Sequence, residues 1–191
     1  MSHTLLYIIN ALAPIVTFFF IARFLLQATQ ADFYNPISQG VVAITNPVLK
    51  PIRMLVPSMG RWDFAALIGA ILVEGLFAYI LIVLSDGYFP GFLKIAVHAV
   101  FEAVGMVLTV IWAMILISIV ASLLMSFGGM NVQHPILSLI NQIIEPIMAP
   151  ARRLIPPMGG LDFSPILVLL LLGVLSDSIL PQLQYGIIGA L

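Results

Sequence analysis

Apolar side chains along this chain fall into two rhythms. Long apolar runs occupy about residues 4–28, 64–84, 104–127 and 165–183. A helix that crosses a bilayer needs about 20 mostly apolar residues, so the pattern predicts four spanning helices. The fourth run is the weakest, because Ser176, Asp177 and Ser178 interrupt it and Pro181 follows. Between the first and second runs, and again between the third and fourth, apolar positions recur at helical spacing. Ile37, Val41, Ile44, Val48, Ile52 and Leu55 step by four or three, and Ile136, Ile140, Ile143, Ile147, Ala151 and Leu154 repeat the same steps. Gln39, Asn46, Lys50 and Arg53, or Ser138, Gln142, Glu145 and Arg152, take the other face. An amphipathic helix of this kind lies in the membrane surface with its apolar side about 5–10 Å into the headgroup boundary. Packing onto the chain's own spans is a compatible alternative.

These two segments are copies of one another. Moving 99 residues on from Pro36–Phe64 gives Pro135–Phe163, and 12 of the 29 positions are identical without a gap. The shared residues include Pro47, Pro51, Arg53, Leu55, Pro57, Met59, Gly60 and Asp63, repeated as Pro146, Pro150, Arg152, Leu154, Pro156, Met158, Gly159 and Asp162. Each half, residues 1–90 and 91–191, therefore reads as span, surface segment (36–57 or 135–156), span. Two spans separate equivalent points, so the halves share one orientation, as in parallel transporter repeats. The expected fold is an all-α membrane protein of two tandem parallel repeats.

Within each copy, Pro36 and Pro135 suit the first turn of a helix, where a missing N–H costs little. Pro51 and Pro150 sit deeper and remove an amide that would bond to residue 47 or 146. A kink or restart near 47–51 is expected, with water and headgroups satisfying the freed carbonyls. Gly60 and Gly159 supply a freely turning backbone after Pro57 and Pro156. Asp63 and Asp162 stand directly before apolar runs, where a short carboxylate caps the exposed amides of a helix start. Pairing with a nearby Arg, or a ligand, is the other reading of each.

Composition supports a bilayer location: 62% of residues are apolar and 8% charged, whereas soluble domains carry roughly a quarter charged residues. The amino terminus is not read as a cleaved export signal, because no Lys or Arg precedes "ALAP" at Ala11–Pro14 and the apolar run continues past it. Lys50, Arg53 and Arg61 fall in the first surface segment and Arg152 and Arg153 in the second, against Lys94 alone between the halves. The positive-inside rule then puts both surface segments in the cytoplasm and both termini outside. Lys50, Arg53, Arg61, Arg152 and Arg153 become candidates for anionic phospholipid, at about 1 kcal/mol each, or for a partner's acidic groups.

The doubled pattern of a proline, an arginine, L-V/I-P, M-G and D-F between spans resembles the YggT family of small bacterial membrane proteins, also called YlmG, with relatives in chloroplasts. The resemblance covers most of the chain. It implies a non-enzymatic inner-membrane component, linked variously to osmotic tolerance, cell division or nucleoid distribution, and complex assembly in plastids. It supplies no catalytic residues. The copies differ where Arg61 faces Gly160, Lys50 faces Ala149 and Met54 faces Arg153, so their basic surfaces need not do one job.

Ionisable groups inside hydrocarbon are costly and usually functional. Glu74 lies about ten residues into the second run and Arg23 near the inner end of the first. They either pair, or Arg23 snorkels to the headgroups while Glu74 is neutralised or bonded to backbone. Ser118, Ser122 and Ser126 form a small polar stripe on the third run, suited to close helix approach across the pseudo-axis or between subunits of a homo-oligomer. His98 and Glu102 share a helix face, but a zinc site takes three or four ligands, so neither metal nor cofactor is expected. There is no cysteine, and no catalytic dyad, phosphate loop or basic tract for nucleic acid. Two function classes remain: a membrane-organising or assembly protein acting through its basic surface helices, and an oligomeric conduit for ions or small solutes using Glu74 and Arg23.

Overall fold

The computed structural model describes residues 3–87, 89, 91–126, 134–155 and 162–191. The predicted Gly159 turn lies outside them, as does the side chain of Ser126. Every element among the described residues is a helix: α1 (His3–Ala28), α2 (Pro36–Leu55), α3 (Phe64–Asp86), α4 (Phe92–Ser126), α5 (Pro135–Leu154), α6 (Ser164–Val174) and α7 (Leu180–Ala190), with a π-turn at Leu175–Ile179 joining the last two. Four spans are long and apolar enough to cross a membrane: Thr4–Ala28, Phe64–Ser85, Phe92–Met125 and Ser164–Ala190.

Two of these spans exceed the predicted ones. The third begins at Phe92 rather than near 104, so Lys94, His98 and Glu102 sit inside α4 and not in a loop. At 35 residues, and a rise of about 1.5 Å per residue, α4 is roughly 52 Å long, well beyond a hydrocarbon core of about 30 Å. Its extra turns carry Lys94, His98 and Glu102 and pack against α7: Gln184 Nε2 lies 2.8 Å from His98 Nδ1. The fourth span is complete. The Leu175–Ile179 π-turn shifts the hydrogen-bond register, with Leu180 N–H donating to the carbonyl of Leu175. That shift accommodates Pro181, which offers no N–H.

Helices α2 and α5 are also corrections. Each is one continuous 20-residue helix through Pro47 and Pro51, or Pro146 and Pro150, and not the two short helices that a restart near 47–51 would give. Both prolines of each helix lie on its exposed side, so the carbonyls they free face outward. Buried residues before and between the prolines anchor each helix: Val41, Thr45 and Leu49 in α2 and Ile140, Ile143, Ile144 and Met148 in α5. The ends are capped from the sequence, Asn35 accepting from Ile37 N–H and His134 from Ile136 N–H.

The inward face of α2 is rotated from the predicted stripe. Ser38, Val41, Thr45 and Leu49 are buried, while Ile37, Ile44, Val48 and Leu55 are exposed. The Thr45 hydroxyl can face inward because it donates 2.7 Å to its own helix's Val41 carbonyl. In α5 the predicted Ile140, Ile143 and Ala151 are buried, with Ile136 and Leu154 exposed.

Long-range packing centres on α1 against α3 and on α4, which touches α1, α3, α5, α6 and α7. Gly69 makes the first contact tight: a Cβ there would lie 2.8 Å from the buried Phe20 ring. The repeats also meet at the start of their surface helices. Asn35 Nδ2 donates 2.9 Å to the Pro135 carbonyl, and Asp32 N–H donates 2.7 Å to Gln142 Oε1. Thus α2 and α5 occupy the same end of the bundle.

Candidate functional site

At the bundle end carrying α2 and α5, each repeat builds an arginine–aspartate pair from its duplicated motif. In the first repeat the chain leaves α2, turns at Met59–Trp62 and enters α3. The turn is closed by Met59 and Trp62 exchanging two backbone hydrogen bonds of 3.1 Å, and Gly60 takes a φ of +61°, which glycine adopts without a Cβ penalty. That turn delivers Asp63 to the start of α3, where its Oδ1 accepts from Ala66 N–H. The carboxylate is completely buried, and its Oδ2 accepts a close hydrogen bond from Arg53 Nη2. Capping and pairing are therefore simultaneous.

Arg23 joins this pair from α1, its Nε 3.7 Å from Asp63 Oδ2. This corrects the expected Arg23–Glu74 pair. Glu74 stands eleven residues after Asp63, roughly 16 Å along α3, and lines a separate cavity of about 640 Å³ with Asn10, His98, Glu102 and Gln184. Helix α1 runs antiparallel to α3, so its C-terminal end meets the start of α3 and not its middle. The sequence placed Arg23 at the right depth but could not tell which acid shared it.

The second repeat keeps the pair and changes its company. Arg152 Nε donates 3.0 Å to Asp162 Oδ2, and its Nη1 donates 2.8 and 2.9 Å to both oxygens of Glu145. Asp162 Oδ1 accepts from Ser164 N–H at 2.9 Å. The hydrogen bond to Glu145 raises the Arg152 pKa against burial, with Asp162 adding to it. Burial works to raise Asp162, but hydrogen bonds from Ser164 and Arg152 prevail and hold it below its ordinary value. At the position of Arg23 stands Ser122, and at that of Asn46 stands Glu145. The first repeat thus holds two cations on one carboxylate, the second two carboxylates on one cation.

Ser118 and Ser122 of the serine stripe face the second repeat's α5 and Arg152–Asp162 pair. Ser118 Oγ donates 2.9 Å to Asn141 Oδ1, and Ser118 and Ser122 line a cavity with Arg152 and Asp162. Of the basic candidates, Arg53 and Arg152 are committed to acids within the chain. Lys50, Arg61 and Arg153 are exposed and make no ion pair among the described residues, although Arg61 lies over the Trp62 ring at 5.1 Å. His98 and Glu102 are 3.7 Å apart, and among the described residues no group of three or more His, Asp or Glu could hold a metal.

The profile of the CCB3/YggT family matches residues 2–84 and again 97–183. The chain belongs to the CCB3/YggT family. Each match takes in one span–surface helix–span unit, so the family's unit is the repeat. The chain is 36% identical over 179 residues to an uncharacterized protein of Pseudomonas aeruginosa, covering 93% of this chain and 89% of that one. It is 31% identical over 182 residues to the uncharacterized protein YggT of Escherichia coli K12, covering 95% and 92%. It is 34% identical over 171 residues to an uncharacterized protein of Vibrio alginolyticus, covering 87% and 88%. No solved structure matches. Family membership and four apolar spans make this a multi-pass membrane protein.

Sequence reasoning missed the contacts that join the repeats, Asn35 to Pro135 and Asp32 to Gln142, and the His98–Gln184 pair. These join residues 100, 110 and 86 apart, and no local pattern encodes such separations. The Arg53–Asp63 spacing of ten, repeated as Arg152–Asp162, was a usable signal.

Proposed function

We propose that this protein organises membrane or assembles complexes without enzymatic activity, in the bacterial inner membrane with both termini outside. In this reading α2 and α5 lie amphipathically in the cytoplasmic headgroup layer and hold anionic phospholipid. The observation that carries it is the outward surface of α2: Ile37, Ile44, Val48 and Leu55 are exposed, and Lys50, exposed on the polar face, makes no ion pair among the described residues. Arg153 next to the exposed Leu154 offers the same chemistry on α5. Apolar area inserted at the boundary, with cations alongside, is the combination that binds an anionic surface. Roles in osmotic tolerance or division, docking of a protein partner and homo-oligomerisation are compatible with such a surface.

The absence of cysteine makes the test direct. Spin labels on Ile44→Cys and Val48→Cys should report depths of about 5–10 Å below the phosphates, and Lys50→Cys should react with an impermeant maleimide only from the cytoplasmic side. Labels at 44 and 48 in bulk water would defeat the reading.

A second reading, a conduit for ions or small solutes in an oligomer, is favoured by the 640 Å³ cavity that brings Glu74 and Glu102 together between α1, α3, α4 and α7. Pro14 and the π-turn residue Ser176 line the same space, so irregular backbone borders it, as in transporter cavities. Arg23 has no part in that cavity. Flux in liposomes abolished by Glu74→Gln would favour the conduit over the organiser.

A further inference from the structure

The first repeat carries more buried positive charge than it neutralises. Among the described residues Arg23 and Arg53 share Asp63 alone, and Arg53 holds the close hydrogen bond. Arg23 is left at 3.7 Å, beyond hydrogen-bonding distance, with a side chain only 12% exposed. Its Nε–H is buried and makes no hydrogen bond among the described residues. A buried, charged N–H without an acceptor is unfavourable, so the arrangement leaves a donor for an anion. The second repeat makes the comparison within one chain: Ser122 replaces Arg23, Glu145 replaces Asn46, and Arg152 donates from Nε and Nη1 to two carboxylates.

A place for that anion adjoins Arg23. A cavity of about 350 Å³ is lined by Arg23, Gln27, Gln30, Ser38, Gly60 and Arg61. Two arginines and two glutamines are among its lining residues, and none of the described residues lining it is acidic. The nearest acid in sequence, Asp32, turns its carboxylate to Tyr34 N–H. The Ser38 hydroxyl already donates to the Asp32 carbonyl, so hydrogen-bond donation falls to the Arg and Gln groups. Arginine's planar fork suits phosphate oxygens bidentately. A volume near the lower end of small-ligand pockets fits a phosphate with a small substituent.

We propose that this cavity, confined to the first repeat, binds a phosphate-class anion between Arg23 and Arg61. A lipid headgroup and a soluble phosphate share that chemistry. The lipid source rests on the surface placement proposed above, whereas the charge imbalance does not.

The test uses the full chain in nanodiscs and in mild detergent. Retention of phosphatidylglycerol against phosphatidylcholine is read by native mass spectrometry, and inorganic phosphate is titrated as competitor. Arg61→Gln, at an exposed position, should weaken anion binding about tenfold, the factor expected for one charge-assisted hydrogen bond. Arg23→Ser with Asn46→Glu installs the charge set of the second repeat, so it should fold with unchanged helicity and lose the anion by at least as much. Competition by phosphate alone identifies a soluble ligand; retention of lipid in excess phosphate identifies a headgroup. Weakening by Lys50→Gln and Arg153→Gln but not by the Arg61 or Arg23 variants would overturn the pocket and leave the surface reading standing. Binding unchanged by all of them would remove both.

Discussion

Arg53 Nη2 donates to Asp63 Oδ2 ten residues further along the chain, and Arg152 Nε repeats that step to Asp162 at 3.0 Å. The link ties the last turn of each surface helix to the start of the following span, closing the loop between them. In the first repeat the acceptor is completely buried; in the second both side chains are about a third exposed. The same two residues therefore carry different energetic weight.

Asp63→Asn should destabilise the protein by about 3–5 kcal/mol, because it strands Arg23 and Arg53 without an anion in a buried site. Asp162→Asn should cost about 1 kcal/mol or less, since solvent screens its partners. Unfolding of each variant in mixed micelles by increasing SDS measures the difference. Equal losses would mean that burial does not distinguish the two pairs.

Arg23 and Glu74 should behave independently. In a double-mutant cycle of Arg23→Gln and Glu74→Gln, the stability changes should add within about 0.5 kcal/mol, as for residues without shared partners. Arg23→Gln combined with Asp63→Asn should depart from additivity. A coupling of about 1 kcal/mol or more between Arg23 and Glu74 would contradict the separation seen here.

Acid should weaken the second repeat's link in a defined window. The Asp162 pKa is lowered from its ordinary 3.8 in the folded state, so its stabilising effect is complete above that value. The effect is lost as pH falls through the depressed folded value. Between pH 6 and 3 the melting temperature of Asp162→Asn should fall less than that of the unaltered protein, with the difference opening below about pH 4. Parallel curves over that range would show that Asp162 is not the group responsible.

Gly69 and Gly60 should resist alanine for different reasons. Gly69→Ala drives a Cβ to 2.8 Å from Phe20, whose ring is 3% exposed and has little room to move, and overpacking of this kind costs about 1–3 kcal/mol. Gly60→Ala meets no atom within 4 Å but must hold φ at +61°, a cost of about 1–2 kcal/mol. Chemical denaturation of both variants checks the pair; an unchanged Gly69→Ala would mean that α1 and α3 can separate slightly without loss.

What the sequence determined is what local chemistry determines. Runs of apolar residues set the number of spans, because hydrocarbon admits only backbone that bonds within itself. The 99-residue duplication set the repeat, and the Asn35, Asp63 and Gly60 positions set caps and a turn whose geometry depends on a few adjacent residues. Tertiary structure decided the rest. Continuity of α2 and α5 across their prolines goes with burial of residues before and between them, which no propensity registers. The contact of the first turns of α4 with α7, where Gln184 meets His98 across 86 residues, was likewise set by packing. Above all, Arg23, Asp63 and Glu74 were visible in the sequence, but only the antiparallel contact of α1 with α3 assigned Arg23 to Asp63 and left Glu74 to a different cavity. Which charges share a buried volume is a property of packing, and neighbouring positions in sequence do not encode it.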